Sequence, residues 1–164
     1  MPITPWNPAT KISRGNVAVG IAPAVVSISA PTVAELTTGI GLDGSITTMN
    51  GTSSADNQTV SWLADLKDEQ LPGGVTHSMD DLTIKVDGQT DDALYTALAV
   101  GTTVYIWRRD GKAHGTAVAT GDKVWVWKAI ITSVDPVEAS NTFVGIVAHV
   151  AVLDRTNVPV AVVV

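Results

Sequence analysis

Between Asp81 and Asp87 the chain alternates cleanly, with Leu82, Ile84 and Val86 on one side and Thr83 and Lys85 on the other. A period of two with one apolar face predicts a half-buried antiparallel strand. Three later segments alternate without any polar face. Thr102–Arg109 sets Val104 and Ile106 against Tyr105 and Trp107, and Lys123–Val134 sets Val124, Val126 and Ile130 against Trp125, Trp127 and Ile131. Asn141–Leu153 is broken only by Thr142 and His149. Such strands need cover on both faces. One cover can be the opposite sheet of a sandwich; the second must be a helix or another molecule.

A helix is predicted over Asp91–Val100. Thr90 can cap it, Asp91 and Asp92 suit its first turn, and Ala93, Leu94, Ala97 and Leu98 form an apolar stripe that ends at Gly101. Asp110-Gly111 favours a turn, which Ala113–Thr120 lengthens into a loop.

The first half is less regular. Asn16–Ile21 and Val25–Ser29 read as short strands interrupted at Ala22-Pro23. Ser45–Asn50 and Thr59–Ala64 read as strands joined by a polar loop over Gly51–Gln58. Trp62–Leu71 fits a helical turn or a strand, and Pro72-Gly73-Gly74 ends it either way. No repeat or linker divides the chain, so residues 1–164 are expected to form one domain.

Composition changes this picture. Charged residues are 16% of the chain, against about 25% for an average globular protein, while 45% are hydrophobic. The surface is therefore either covered by small polar residues or partly buried against something else. Ten basic against sixteen acidic side chains give −6, which argues against an anionic ligand such as nucleic acid or an anionic membrane. Cysteine is absent, which excludes disulfides, thiolate metal sites and thiol nucleophiles. Met1–Gly20 scatters its apolar residues among Pro2, Pro5, Pro8, Lys11 and Arg14, unlike a signal peptide, and no apolar run reaches the roughly 18 residues of a membrane span. No membrane partner is expected.

Local motifs for chemistry are weak. Gly39-Ile40-Gly41-Leu42-Asp43-Gly44 matches G-x-G-x-x-G, but Ser45-Ile46-Thr47-Thr48 behind it favours a strand where a dinucleotide site needs a helix. It reads as a glycine-rich turn. His77, His114 and His149 share no metal-ligand spacing, although His77 stands close to Asp80 and Asp81; His149, mid-strand among valines, reads as a hydrogen-bonded structural histidine. Asp87–Asp92 lacks the spaced oxygens and distal Glu of a calcium loop. No catalytic, metal or cofactor residue is expected.

Five tryptophans, with one Phe and two Tyr, form the most unusual aromatic feature. Core packing explains any one of them as well as an interface does. Trp107, Trp125 and Trp127 lie on the strands without a polar face, and Trp6 lies in an N-terminal arm of about residues 1–15. Arg108 and Arg109 beside Trp107 tilt that strand end towards a subunit interface, where Trp and Arg concentrate.

One family brings these features together. Pro31-Thr32-Val33-Ala34-Glu35-Leu36-Thr37-Thr38-Gly39 resembles the P-T-x-x-E-[LI]-x-x-G segment of tail tube proteins from actinobacterial siphophages. Gln70–Gly74, His77–Val86, the helix at Asp91–Ala99 and the late strands with Trp125 and Val144–Val152 are similar to that family in order. The resemblance, which extends to type VI secretion tube proteins, covers most of the chain. It implies an antiparallel β-sandwich or small barrel with one flanking α-helix, six copies to a ring, and rings stacked into a virion tail tube for DNA. It implies no enzyme. The implied partners are further copies, a tape measure protein and a tail terminator, with DNA only a passenger, after synthesis in the host cytoplasm. Some members carry a C-terminal immunoglobulin-like domain; none is expected here.

On this resemblance, Ser45–Ala64 is the candidate wet hairpin lining the lumen, through Ser45, Thr47, Asp56, Thr59 and Ser61. The loop over about residues 51–58 and the N-terminal arm are candidate contacts between subunits. A head–tail connector or tail terminator, forming one ring, is the nearest alternative. A β-sandwich that binds carbohydrate through exposed tryptophans is a more distant one.

Overall fold

A computed structural model describes residues 15–43, 45–46, 49–61, 68–86, 91–137 and 144–164. In chain order the elements are β1 (Val17–Ala22), α1 (Val33–Thr37), β2 (Ile40–Gly41), β3 (Gly51–Ser61), β4 (Asp68–Met79), β5 (Leu82–Lys85), α2 (Asp92–Ala97), β6 (Thr103–Asp110), β7 (Lys123–Pro136), β8 (Gly145–Arg155) and β9 (Val160–Ala161). Seven strands form one antiparallel sheet in the order β2-β1-β6-β7-β8-β5, with β9 on β7. β3 and β4 form a separate two-stranded ribbon.

The sheet curls into a half-barrel. Register shifts on β7 between Lys128 and Ala129, and between Ile131 and Ser133, mark bulges that increase twist. β2 pairs with β1 at one edge, and soon afterwards Ile46 bridges Ile84 of β5 at the other. One short segment thus ties both edges.

Strands apolar on both faces do produce two apolar clusters. One face gathers Val19, Ile21, Leu82, Ile84, Ile106 and Ile131, with Leu94 and Leu98 of the α2 segment. The other face gathers Ala18, Ala22, Trp107, Val124 and Val126 under Val25, Leu36 of α1 and Val162. The second cover therefore comes from the same chain. Truncating a core leucine or isoleucine to Ala costs about 2–5 kcal/mol, so each face contributes substantially.

The late strands fall near their predicted bounds, and the predicted helix is shorter, Asp92–Ala97. Thr90, its expected cap, lies outside the described residues. Three expectations need correction. A second helix, α1, is present, held by a capping box in which Thr32 Oγ1 accepts the Glu35 N–H at 3.2 Å and Glu35 Oε2 accepts the Thr32 N–H at 2.8 Å. Val25–Ser29 is not a strand: Glu35 Oε1 takes the Val26 N–H at 2.8 Å, and Ala30 turns back onto Ser27. The expected loop over residues 51–58 is part of β3, whose partner is β4 rather than Ser45–Asn50. Backbone pairing to β4, not apolar alternation, makes this polar segment a strand, and Pro72-Gly73-Gly74 lies inside β4.

Candidate assembly surfaces

The ribbon exposes much of its described part. Thr52, Ser53, Ser54 and Ala55 of β3 and Gly74, Val75 and Thr76 of β4 face solvent. Cross-strand contacts are polar: Thr52 Oγ1 lies 2.7 Å from Ser78 Oγ, and Ser53 Oγ lies 2.9 Å from His77 Nδ1. Beyond these partners β3 and β4 hydrogen-bond as strands only to each other among the described residues. Of the expected lumen residues, Asp56, Thr59 and Ser61 belong to β3, whereas Ser45 belongs to the body, its carbonyl accepting the Lys85 N–H at 2.8 Å. Thr47 and Trp62 lie outside the described residues, as does Trp6 with the arm to residue 14.

The tryptophans sort by face. Trp107 is 6% exposed on the α1-covered side and lies across Gly20, where any Cβ would fall 2.6 Å from the indole. Trp125 and Trp127 pack on the opposite side, with the α2-covered cluster, and stack with centroids 6.3 Å apart. Arg155, opposite Trp127 in the β7–β8 register, places its guanidinium 5.7 Å from the Trp125 centroid. Together with Arg108, Asp110, Asn50 and Gly51 these residues line an open pocket of about 280 Å³. Neither the local sequence around Arg155 nor Gly51 signals this site, because it is assembled from β3, β6, β7 and β8.

Adjacent arginines on a strand point opposite ways. Arg108 joins the pocket and pairs with Asp110 at 2.7 Å. Arg109, expected at an interface, is 1% exposed and is used inside the subunit. Its Nη1 donates to Asp122 Oδ2 and to the Ala117 carbonyl, both at 3.0 Å. Its Nη2 donates to the Ala113 carbonyl at 3.2 Å and the Thr116 carbonyl at 2.7 Å. One guanidinium therefore shapes the whole 113–122 loop. Lys112 also donates to Asp122, and this contact chiefly holds the Asp122 carboxyl below its ordinary range despite burial, with the Ala119 N–H and Arg109 adding to it. Glu35 is likewise lowered, first by the backbone N–H of Thr32 and then by that of Val26.

His149 is hydrogen-bonded, as its sequence position suggested, and both of its ring nitrogens meet carboxylates. Nδ1 lies 2.8 Å from Asp81 and Nε2 3.1 Å from Asp135. His77 does not join Asp81; its partner is Ser53. A second, largely apolar groove of about 360 Å³ lies between α2 and the β2-β1-β6 edge. Among the described residues no group of three or more His, Cys, Asp or Glu is set to hold a metal, and no helix is long and apolar enough to cross a membrane.

The fold is thus a curled, half-barrel sheet with a separate polar ribbon and an arginine–tryptophan pocket, the form of a β-rich protein with two short helices. The phage tail tube protein family matches residues 4–164, and the chain belongs to that family. It is a structural protein of the phage tail. The fold is similar to a chain in the cryo-EM structure of the anti-feeding prophage (AFP) baseplate, 6-fold symmetrised, with a TM-score of 0.51 at 11% identity. That alignment covers 92% of this chain and 95% of the other. No curated relative matches the sequence.

Proposed function

We propose that the protein self-assembles into hexameric rings that stack into the tail tube of a long, non-contractile phage tail, a conduit for DNA during ejection. The observation that carries this reading is the β3–β4 ribbon. Strands of 11 and 12 residues stand apart from the main sheet. A two-stranded ribbon is marginal in water by itself, and its open edges invite further pairing. Side-by-side pairing of ribbons from neighbouring copies closes these edges into a ring.

The polar faces of the ribbon suit a water-filled lumen, and the net charge of −6 suits a wall along which phosphate slides without sticking. Family membership supports the tail assignment, and the 6-fold symmetrised relative supports six copies. In this reading the 1–15 arm reaches an adjacent subunit, the tape measure protein occupies the lumen during assembly, and the tail terminator caps the last ring. The protein acts by assembly and catalyses nothing.

Negative-stain microscopy of concentrated purified protein tests this reading. Tubes or stacked rings are expected. Single rings at every concentration would favour a connector or terminator, and a strict monomer would refute self-assembly.

A further inference from the structure

We infer that the pocket between Arg108 and Arg155 is a carboxylate-binding socket filled by Asp92 of a second copy of this chain. The inference rests on the tube reading above and names a contact within it.

The pocket holds hydrogen-bond donors in search of an acceptor. Arg155 Nη1 and Trp127 Nε1 are both buried and have no hydrogen-bond partner among the described residues. Buried polar groups are nearly always satisfied, so an orphaned donor pair beside an open pocket marks a missing acceptor. Gly51 keeps the approach free: a Cβ there would fall 2.5 Å from Trp127 Nε1. Arg108 adds a second guanidinium, with Asp110 neutralising one of the two positive charges. Net positive charge, planar guanidinium donors and an indole N–H suit a single carboxylate. With about 280 Å³ between indole walls, the socket suits an acidic side chain better than a nucleic acid backbone, which the −6 charge also opposes.

The opposite end of the sheet supplies the acid. β6 runs from Thr103, just after the α2 segment, to Asp110 beside the pocket, seven steps or roughly 23 Å away. Asp92, in the first turn of α2, is exposed, and no side-chain partner engages its carboxylate among the described residues. Asp81 and Asp135, by contrast, are engaged by His149. A socket at one end and an acid at the other define a head-to-tail contact, which propagates along a stack instead of closing on itself.

The test uses the full chain. Sedimentation velocity should show Arg155→Gln and Asp92→Asn each weakening self-association about tenfold or more, the scale of one lost charge-assisted hydrogen bond, with the melting temperature unchanged in Asp92→Asn. Arg155→Asp combined with Asp92→Arg should associate more strongly than Arg155→Asp alone. Either single variant assembling like the parent, or no recovery in the reversed pair, overturns the contact. A second measurement does not depend on assembly: sodium acetate should shift the Trp127 indole N–H resonance of the dispersed protein and leave it unmoved in Arg155→Gln. No acetate shift, or tighter binding of a short DNA duplex that Arg155→Gln abolishes, overturns the socket. Failure of the unmodified protein to assemble, with the acetate response intact, counts against the tube reading and not against the pocket.

Discussion

Replacing Arg109 with Met separates a residue that holds one subunit together from a residue that holds two subunits to each other. The Met side chain keeps most of the apolar stem and removes the guanidinium. Four hydrogen bonds are lost, one to Asp122 and three to the carbonyls of Ala113, Thr116 and Ala117. Breaking a buried pair by removing one partner costs about 3–5 kcal/mol. Lys112 still faces Asp122, so the residual charge is partly compensated and the lower end of that range, about 3 kcal/mol, is expected. For a chain of this length that corresponds to a fall in Tm of roughly 6–12 °C. Urea unfolding of dispersed subunits measures the loss without interference from assembly. A loss below about 1 kcal/mol, with assembly nevertheless abolished, would refute the internal role and restore Arg109 to an interface.

Gly20→Ala drives a methyl to 2.6 Å from the Trp107 indole across β1 and β6, and a cost of about 1–3 kcal/mol is expected, read by the same unfolding curves. Trp107→Phe in the same chain should recover part of it. Glu35→Ala opens the capping box and frees the Val26 N–H; a loss of about 1 kcal/mol is expected in thermal melts. Asp122 and Glu35 are both lowered in the folded state, so the unfolded chain binds protons more readily. Their contribution is complete above the ordinary carboxylate range and fades as pH falls below about 4; an Asp122→Asn variant should show a shallower acid slope.

The late half of the sheet is legible because its alternation is carried by large side chains. Val104, Ile106, Val124, Val126, Trp107 and Trp127 announce two buried faces, and both faces are buried. The ribbon is not legible in this way. Thr52, Ser53 and Ser54 make a strand through backbone pairing with β4, a cause that hydrophobic periodicity cannot register. α1 did leave a signal, since Thr32-Val33-Ala34-Glu35 has the spacing of a capping box. With only five helical residues, it offers no apolar periodicity to accompany that signal. The neighbours Arg108 and Arg109 look equivalent along the chain, and strand alternation alone sends one to the pocket and the other to the 113–122 loop. Arg155 is brought to Trp125 by the β7–β8 register, including a bulge, which lies beyond local reading.

In the proposed assembly, neighbouring copies join through the β3–β4 ribbon to enclose a lumen. Electron cryomicroscopy of assembled tubes, reconstructed without imposed symmetry, tests it most directly. The expected map shows six subunits per ring with the segments Gly51–Ser61 and Asp68–Met79 paired edge to edge around the inner wall. A map with those segments on the outer surface, or with ribbon edges unpaired between subunits, would contradict the account.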